Sequence, residues 1–246
     1  MGIRADNAVA LKGFARSRAR AKEMIERQCF TYKGKPVTKP SQNIEDIDLL
    51  EMVSEDIPYV SRGGLKLEKA LTAFNIDVKG AVCVDIGAST GGFTDCLLQN
   101  GAKYVFAVDC GHDQLSEVLK EDPRVKNMEG VNARSLEKED LGCIADIVVC
   151  DASFISLTLL LPAMEKICKE KGSIICLIKP QFEAGKEALN KKGVVNDPKD
   201  RARAVDKVTS FARELGLKIS GLTESPIKGP NGNTEYLLYL KKELSI

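Results

Sequence analysis

The stretch from Asp85 to Phe93 limits most strongly what this chain can fold into. It reads D-I-G-A-S-T-G-G-F and continues the apolar run Ala81–Ile86. Glycines let the backbone turn sharply and approach a ligand closely, and the apolar spacing after them is typical of a helix, whose first N–H groups are free to bind. The stretch therefore predicts a strand, a glycine turn and a helix start at the ligand-binding edge of an α/β domain.

The rest of the sequence repeats this alternation of strands and helices. Stretches of helical spacing lie between most of the β-rich runs, which predicts a mostly parallel sheet covered on both faces. The last two runs are joined by residues 225–234, a Pro- and Gly-rich loop too short for a parallel crossover, so they should pair antiparallel. Seven strands ending in this way are the layout of a Rossmann-like class I methyltransferase fold. The predicted strands are Ala81–Ile86, Tyr104–Asp109, Val125–Glu129, Ala145–Asp151, Ser173–Lys179, Lys218–Leu222 and Glu235–Leu240.

An acidic residue before the first glycine indicates which ligand this turn receives. A dinucleotide site has the spacing G-x-G-x-x-G, whereas this chain has D-x-G-x-x-x-G-G, and an acid at that place would repel a diphosphate. Asp109 ends the next predicted strand, where a carboxylate can accept hydrogen bonds from ribose hydroxyls. S-adenosylmethionine carries an ammonium and a sulfonium, so we expect it to be the cofactor. Its predicted contacts are Asp85, Gly87, Ser89, Gly91, Gly92, Phe93, Asp109 and Asn132.

The first 40 residues carry ten basic and three acidic side chains, a net charge of +7 within a chain of net charge +1. This asymmetry indicates an anionic partner, and a cationic helix over Arg16–Gln28 followed by a hairpin around Lys33-Gly34-Lys35 suits the RNA phosphate backbone. We expect an RNA-binding domain over residues 1–55 and the methyltransferase domain over residues 59–246, with the boundary near Ser54–Pro58. For any single cation, a solvated surface position remains the alternative. The candidate RNA contacts are Arg4, Arg16, Arg18, Arg20, Lys22, Lys33 and Lys35.

Cysteine spacing and hydropathy argue against several other classes of protein. None of the eight cysteines stands in C-x-x-C spacing and His112 is the single histidine, so we expect no metal site. No apolar run approaches the ~18 residues that a membrane span needs, and the N-terminus lacks the apolar core of a signal peptide. We therefore expect a cytoplasmic protein with reduced cysteines and no membrane span.

Five ordered blocks of the sequence resemble one known family. The blocks are Y-V-S-R-G-G-L-K-L (59–67), D-I-G-A-S-T-G-G-F-T-D-C-L-L (85–98), D-A-S-F-I-S-L (151–157), I-K-P-Q-F-E-A-G (178–185) and G-P-N-G-N-T-E (229–235). They are similar to the TlyA family, haemolysin-A-like ribosomal RNA 2′-O-methyltransferases with an FtsJ-type catalytic domain. The N-terminal region, residues 1–55, contains R-A-D at 4–6 and S-R-A-R-A-K at 17–22 and resembles a small α+β S4 RNA-binding domain. The resemblance implies methylation of a ribose, in cytidine, within ribosomal RNA of an assembled or assembling subunit.

The resemblance also implies a catalytic tetrad of two lysines and two acids. Matched by motif, the Lys–Asp–Lys–Glu tetrad of the FtsJ type falls on Lys66, Asp151, Lys179 and Glu235. A ribose 2′-hydroxyl is weakly acidic, so the enzyme has to orient its oxygen and remove its proton at or after transfer. Our hypothesis is that Lys179 positions and deprotonates the hydroxyl while Asp151 holds the lysine. Taken singly, Lys66 and Glu235 read as solvated charges, whereas Asp151 and Lys179 end strands of buried type, where an unpaired charge is costly.

Two other functions remain open at this point. One is an RNA-binding, ribosome-associated factor whose methyltransferase domain is inactive. The other is a haemolysin-like membrane activity, which no apolar segment of the sequence supports. A dehydrogenase is disfavoured by the missing G-x-G-x-x-G. Around the site, Phe93 and Phe154 either line it or pack in the core, and Phe182 and Glu183 are expected to border the substrate entrance.

Overall fold

Apolar side chains gather in three clusters, one in the unit Met1–Pro58 and two in the unit Tyr59–Ile246. The computed structural model of the protein describes residues 2–15, 17–26, 29–53 and 57–244. The predicted RNA contact Arg16 lies outside the described residues, as do residues 54–56 of the predicted boundary.

The described residues of the first unit form two helices and two small antiparallel sheets. In chain order the elements are β1 (Ile3–Arg4), α1 (Ala5–Leu11), α2 (Arg18–Glu26), β2 (Phe30–Tyr32), β3 (Lys35–Pro36), β4 (Asn43–Ile44) and β5 (Leu50–Met52). The hairpin predicted around Lys33-Gly34-Lys35 is confirmed, because β2 pairs with β3 and both turn residues have positive φ. β2 also pairs with β5, and β1 pairs with β4. Helices α1 and α2 both contribute fully buried side chains to the apolar cluster of this unit, among them Val9 and Met24.

The second unit alternates helices and strands, as the sequence predicts. In chain order its elements are α3 (Gly63–Phe74), β6 (Val82–Ile86), α4 (Gly92–Gln99), β7 (Tyr104–Asp109), α5 (Glu117–Lys120), β8 (Val125–Glu129), α6 (Lys138–Leu141), β9 (Ala145–Cys150), α7 (Leu161–Ile167), β10 (Cys168–Ile178), α8 (Pro180–Glu183), α9 (Pro198–Glu214), β11 (Leu217–Glu224) and β12 (Tyr236–Lys242). The seven strands β6–β12 form one sheet in the order β11-β12-β10-β9-β6-β7-β8. Strand β12 runs antiparallel to both of its neighbours, and the remaining pairs are parallel, so the predicted Rossmann-like methyltransferase fold is confirmed.

Both faces of this sheet are covered, because successive residues of a strand point to opposite sides. In β6, Val84 and Ile86 belong to the apolar cluster that includes residues of α7 and α9, whereas Cys83 belongs to the cluster that includes residues of α3 and α4. Six of the eight cysteines are buried, where a thiol packs as a small apolar group.

The main differences from the sequence prediction concern helix α3 and strands β9 and β10. Helix α3 has no counterpart among the predicted elements, although it carries Lys66. Strands β9 and β10 each end one residue earlier than predicted, so Asp151 and Lys179 are the first residues after their strands. Strand β10 also begins earlier, at Cys168, and its pairing with β9 is irregular between Cys168 and Ser173, where the charged stretch 169–171 interrupts the apolar pattern.

Candidate active site

The parallel strands bring predicted site residues to one edge of the sheet. Asp85 lies in β6, Asp109 ends β7, and Asp151 and Lys179 directly follow β9 and β10. Because β9 is hydrogen-bonded to both β6 and β10, the carboxyl ends of these three strands are adjacent. Residues distant in sequence therefore meet where ligands bind in sheets of this kind.

Lys179 is held by the loop that follows β9. Its Nζ lies 2.7 Å from Asp151 Oδ1, and it donates to Ser153 Oγ at 2.7 Å and to the Asp151 carbonyl oxygen at 3.3 Å. The lysine is 6% exposed, so these partners offset the cost of burying a polar amino group. The contacts hold the amine at one defined position at the sheet edge.

Lys66 links this pair to the last strand. Its Nζ lies 2.8 Å from Glu235 Oε2 and donates to Asp151 Oδ2 at 3.4 Å. Lys66 is 8% exposed and Glu235 is fully buried, so neither is a solvated surface charge. The four residues of the predicted tetrad form one chain of contacts, Glu235–Lys66–Asp151–Lys179, in which two basic side chains alternate with two acidic ones.

A cavity of about 530 Å³ opens beside these side chains. Lys66, Asp151 and Lys179 line it together with part of the glycine turn. A volume of this size is ordinary for a small-molecule site. The predicted cofactor residues in its lining are Gly87, Ser89, Gly92 and Phe93. The predicted cofactor residues outside its lining are Asp85, Gly91, Asp109 and Asn132.

Two glycines of the turn allow close approaches that no other residue permits. Gly87 has a φ of +79°, and a Cβ there would lie 2.9 Å from Ala152 Cα. A Cβ on Gly92 would lie 2.3 Å from Ser61 Oγ and 2.9 Å from the backbone nitrogen of Gly64. The glycine turn therefore packs directly against the loop after β9 and against the segment before α3, which explains the glycine spacing in the sequence.

Asp85 is a buried carboxyl group with one partner missing. Its Oδ2 accepts a hydrogen bond from Thr94 Oγ1 at 2.7 Å, whereas Oδ1 is buried and has no partner among the described residues. Burial raises the pKa of this carboxyl to about 7, against the opposing effect of the Thr94 hydrogen bond. Buried carboxylate oxygens normally have donors, so the free oxygen is suited to a cationic ligand group.

The other predicted cofactor residues are positioned by local contacts. Asp109 accepts hydrogen bonds from the Ser89 N–H through Oδ2 and from the Gly111 N–H through Oδ1, both at 2.8 Å. It therefore ties the glycine turn to the loop after β7 and keeps lone pairs for ribose hydroxyls. Asn132 accepts from the Arg134 N–H at 3.1 Å and starts a short 3-10 helix.

A second cavity, of about 340 Å³, adjoins Lys179 and was not predicted from the sequence. Its lining includes Phe154, Phe182 and Gln181. Phe154 is 90% exposed, and its ring centroid lies 5.2 Å from that of Phe182. Phe154 therefore borders this cavity rather than packing in the core, whereas Phe93, 3% exposed, lines the first one. Sequence reasoning missed several residues that line the first cavity. Ser61, Arg62, Ser153, Gly229 and Asn231 lie within the family blocks, whereas Ile227 and Lys228 lie outside them.

In the first unit, one buried acid organises two of the candidate RNA contacts. Asp6 accepts hydrogen bonds from Arg4 at 3.0 Å and from Arg18 at 3.2 Å, and the bond from Arg4 is the main cause that lowers the pKa of Asp6 to about 2. The side chains of Arg4 and Arg18 are 50% and 61% exposed, so both guanidinium groups are accessible from solvent.

The remaining candidate RNA contacts differ in their partners. Arg20 donates to the Ile57 carbonyl oxygen, Lys22 pairs with Glu26, and Lys33 pairs with Glu45 beside the Tyr32 ring. Lys35 is exposed at the end of the hairpin turn.

Two further observations concern metals and membranes. Over 2–15, 17–26, 29–53 and 57–244, histidine, cysteine and carboxylate side chains nowhere gather in a group of three or more suited to a metal ion. No helix in the described part of the chain is both long and apolar enough to cross a membrane.

Comparisons with known proteins agree with this geometry. A family model described as FtsJ-like methyltransferase matches residues 59–242, and an S4 domain model matches residues 3–48. The chain is 45% identical over 241 residues to the 16S/23S rRNA (cytidine-2′-O)-methyltransferase TlyA of Mycobacterium tuberculosis, covering 98% of this chain and 90% of that protein. It is 42% identical over 238 residues to Hemolysin A of Brachyspira hyodysenteriae, covering 96% of this chain and 99% of that protein. A solved structure from Streptococcus thermophilus, of a protein with a hemolysin name, has a TM-score of 0.78 at 42% identity and covers 99% of this chain and 90% of that one.

The sheet order, the glycine turn and the match over residues 59–242 define the second unit as an FtsJ-like methyltransferase domain. An S4 domain precedes it in the sequence. The chain belongs to the TlyA family, since its relatives match nearly its full length at this level of identity.

Proposed function

We propose that this chain transfers a methyl group from S-adenosylmethionine to the 2′-oxygen of a cytidine ribose in ribosomal RNA, within an assembled or assembling subunit in the cytoplasm. The observation that carries the proposal is the contact chain Glu235–Lys66–Asp151–Lys179, because three of its members line the cavity that also borders the glycine turn. The name of the Mycobacterium tuberculosis relative, which specifies a cytidine 2′-oxygen, supports the same acceptor. Residues 1–55 serve as the RNA-binding domain and residues 59–246 as the methyltransferase domain.

Lys179 is the group that we assign to the acceptor hydroxyl. Asp151 and Ser153 hold its Nζ at the cavity wall. Once Lys179 has released its own proton to solvent, the neutral amine accepts a hydrogen bond from the 2′-hydroxyl, orients it and takes up the proton that the hydroxyl loses. Asp151 then stabilises the resulting ammonium. Lys66 and Glu235 keep Asp151 in place, since Lys66 bridges the two carboxylates.

The residues around the glycine turn fit S-adenosylmethionine. The free Oδ1 of Asp85 suits its ammonium group, Asp109 suits its ribose hydroxyls, and Gly87 and Gly92 leave room where a side chain would clash. When bound, this cofactor supplies a methyl group on a sulfonium, which is already a strong electrophile. The protein therefore needs only to align the acceptor oxygen and accept its proton.

Transfer to ribosomal RNA tests the proposal directly. The protein would be incubated with isotope-labelled S-adenosylmethionine and with ribosomal subunits from a strain that lacks it, and nucleosides would be analysed by mass spectrometry. We expect labelled 2′-O-methylcytidine at defined positions. Cofactor binding without transfer to any subunit or free ribosomal RNA would instead support the inactive, RNA-binding alternative.

Cofactor affinity is expected to depend on pH through Asp85. Its raised pKa, about 7, means that the free protein holds a proton there at lower pH, and pairing with an ammonium requires that this proton leaves. Affinity for S-adenosylmethionine should therefore rise with pH, by up to about tenfold per unit, and level off above about pH 7. Isothermal titration calorimetry between about pH 5.5 and 8.5 measures this, with proton release read from two buffers of different ionisation enthalpy.

The matched variants for this titration are Asp85→Asn and Asp77→Asn. The first removes the titrating group and should give a weak affinity that no longer changes with pH. The second alters an exposed acid away from the turn and should behave like the unsubstituted protein. A pH-independent affinity in the unsubstituted protein would contradict the role assigned to Asp85.

Phe154 is expected to stack on the acceptor base. An aromatic ring that is 90% exposed and stands at a cavity adjoining Lys179 offers a surface for a base drawn out of an RNA loop. Phe154→Ala should lower kcat/KM for RNA about 5- to 150-fold, since base–aromatic stacking contributes about 1–3 kcal/mol, and leave cofactor affinity unchanged. Steady-state kinetics against RNA measure the effect. Phe154→Tyr should retain activity. The control is Leu159→Ala, which removes another exposed apolar side chain five residues further along and should leave kcat/KM unchanged.

A further inference from the structure

Glu183 is a buried carboxylate that the proposed chemistry does not use. Its side chain is 1% exposed, and it ends helix α8, which begins directly after Lys179. Its Oε1 accepts a hydrogen bond from the Leu157 N–H at 2.7 Å, and its Oε2 accepts from Ser156 Oγ at 2.6 Å and from Lys207 Nζ at 3.1 Å. The bonds from Leu157 and Ser156 are as short as charge-assisted hydrogen bonds.

These bonds fix the far end of the loop that carries the reactive groups. The loop runs from Asp151 to Ile155 between β9 and the Ser156 cap of a short 3-10 helix, and it contains Ser153 and Phe154. At its start, Asp151 and Ser153 contact Lys179; at its end, Ser156 is bound by Glu183, four residues after Lys179. The loop and α8 are therefore joined at both ends.

Phe154 gives a reason why the loop needs this second attachment. Its φ is +63°, a backbone conformation that residues other than glycine rarely adopt. Contacts with neighbouring residues therefore have to hold it. Lys207, on α9, supplies a positive charge to Glu183 and connects the junction to the helix that covers this face of the sheet.

We propose that Glu183 is a positioning residue for methyl transfer, which holds the loop Asp151–Ile155 and Lys179 at their working separation. The inference rests on the proposed function and extends it to a residue beyond the tetrad. Glu183 does not line the cavity that the glycine turn borders, so its loss should change the acceptor side of the site and spare the cofactor side.

The test uses the full chain with Glu183→Ala, Glu183→Gln and Ser156→Ala, and Glu187→Gln as the control, an exposed acid four residues further along. The readouts are the single-turnover rate of methyl transfer to ribosomal RNA with enzyme in excess, and the Kd for S-adenosylmethionine. When the folded enzyme saturates the RNA, the single-turnover rate constant does not depend on how much of a sample is folded. A merely structural role would therefore leave it unchanged.

We expect Glu183→Ala to lower the single-turnover rate about 10- to 100-fold, because small displacements of positioning groups have effects of this size. Glu183→Gln keeps the shape of the side chain and one acceptor oxygen, so it should retain much of the single-turnover rate. The rate of Ser156→Ala should lie between those of Glu183→Gln and Glu183→Ala. The Kd for the cofactor should stay within about twofold in all variants, and Glu187→Gln should match the unsubstituted protein.

Rates within twofold of the unsubstituted protein would overturn the inference. Should Glu183→Ala fail to fold, Glu183→Gln and Ser156→Ala decide by the same criterion, since neither leaves a large void. A parallel loss of cofactor affinity would also overturn it. No transfer by the unsubstituted protein would overturn the proposed function and this inference together, which separates the two kinds of failure.

Discussion

Lys179→Ala is expected to abolish methyl transfer while the protein still binds S-adenosylmethionine. Asp151 and Ser153 hold the Lys179 amine at the junction of the two cavities, and we assign to this amine both the orientation of the acceptor hydroxyl and the uptake of its proton. Positioned proton transfer contributes about 10²- to 10⁴-fold, so kcat should fall by at least that range. The rate is measured as transfer of labelled methyl groups to ribosomal subunits, and the affinity for S-adenosylmethionine is measured by calorimetry.

Two further variants separate chemistry from packing in this experiment. Lys179→Met fills the same space without an amine and should be as inactive as Lys179→Ala. Lys186→Ala removes an exposed lysine seven residues further along and should keep full activity. Near-normal turnover of either Lys179 variant, with cofactor bound, would show that another group performs the assigned role.

Combined replacement of Arg4 and Arg18 by glutamine should weaken RNA binding about 10- to 100-fold. Both guanidinium groups are oriented by Asp6 and remain about half exposed or more, which is the arrangement expected of phosphate contacts. Glutamine can still donate to Asp6, so the buried acid keeps hydrogen-bond partners. Binding to ribosomal RNA at several salt concentrations should give a slope of log K against log salt that is smaller by about one for each arginine replaced.

Lys12→Gln is the matched control for these arginines. It removes one positive charge from the same unit, but the Lys12 Nζ donates to the carbonyl oxygens of Asp48 and Leu50. RNA affinity should change little, and the cofactor Kd should be unaffected in every variant. Equal losses from Lys12→Gln and from each single arginine variant would indicate a general charge effect in place of specific contacts.

Much of the catalytic domain follows from local sequence signals. The apolar runs predict every strand of the large sheet within a few residues, except the early start of β10, because β-rich segments bounded by turns are a strong local pattern. The glycine spacing predicts the turn after β6, since Gly87 and Gly92 allow contacts that no other residue permits. The positive-φ turn at Lys33 and Gly34 likewise follows from the lysine–glycine pattern.

Other features depend on contacts between distant parts of the chain. Lys66 and Glu235 lie 169 positions apart, and only the completed sheet makes one the partner of the other. Taken singly, Lys66 and Glu235 look like solvent-exposed surface charges. Their place in the site is therefore indicated by the family motifs and not by the local sequence pattern. Helix α3 escapes prediction because the Gly63-Gly64 start is unusual for a helix, and here Gly64 lies against the ring of Tyr59. The burial of Glu183 escapes prediction because its partners lie in segments that the sequence does not connect.

The place of β12 in the sheet has a consequence for how the site is assembled. The strand inserts between β10 and β11, which both precede it in the chain, so the sheet is complete only after its last strand has entered. Glu235 stands directly before this strand, and until it arrives Lys66 lacks the carboxylate at 2.8 Å. Pairing between segments that are far apart in the chain forms slowly, because the long loop between them has to close first. A nascent or partly folded chain would therefore already contain its RNA-binding N-terminal domain but would lack a complete candidate active site. The chain would become active only once its last strand is in place.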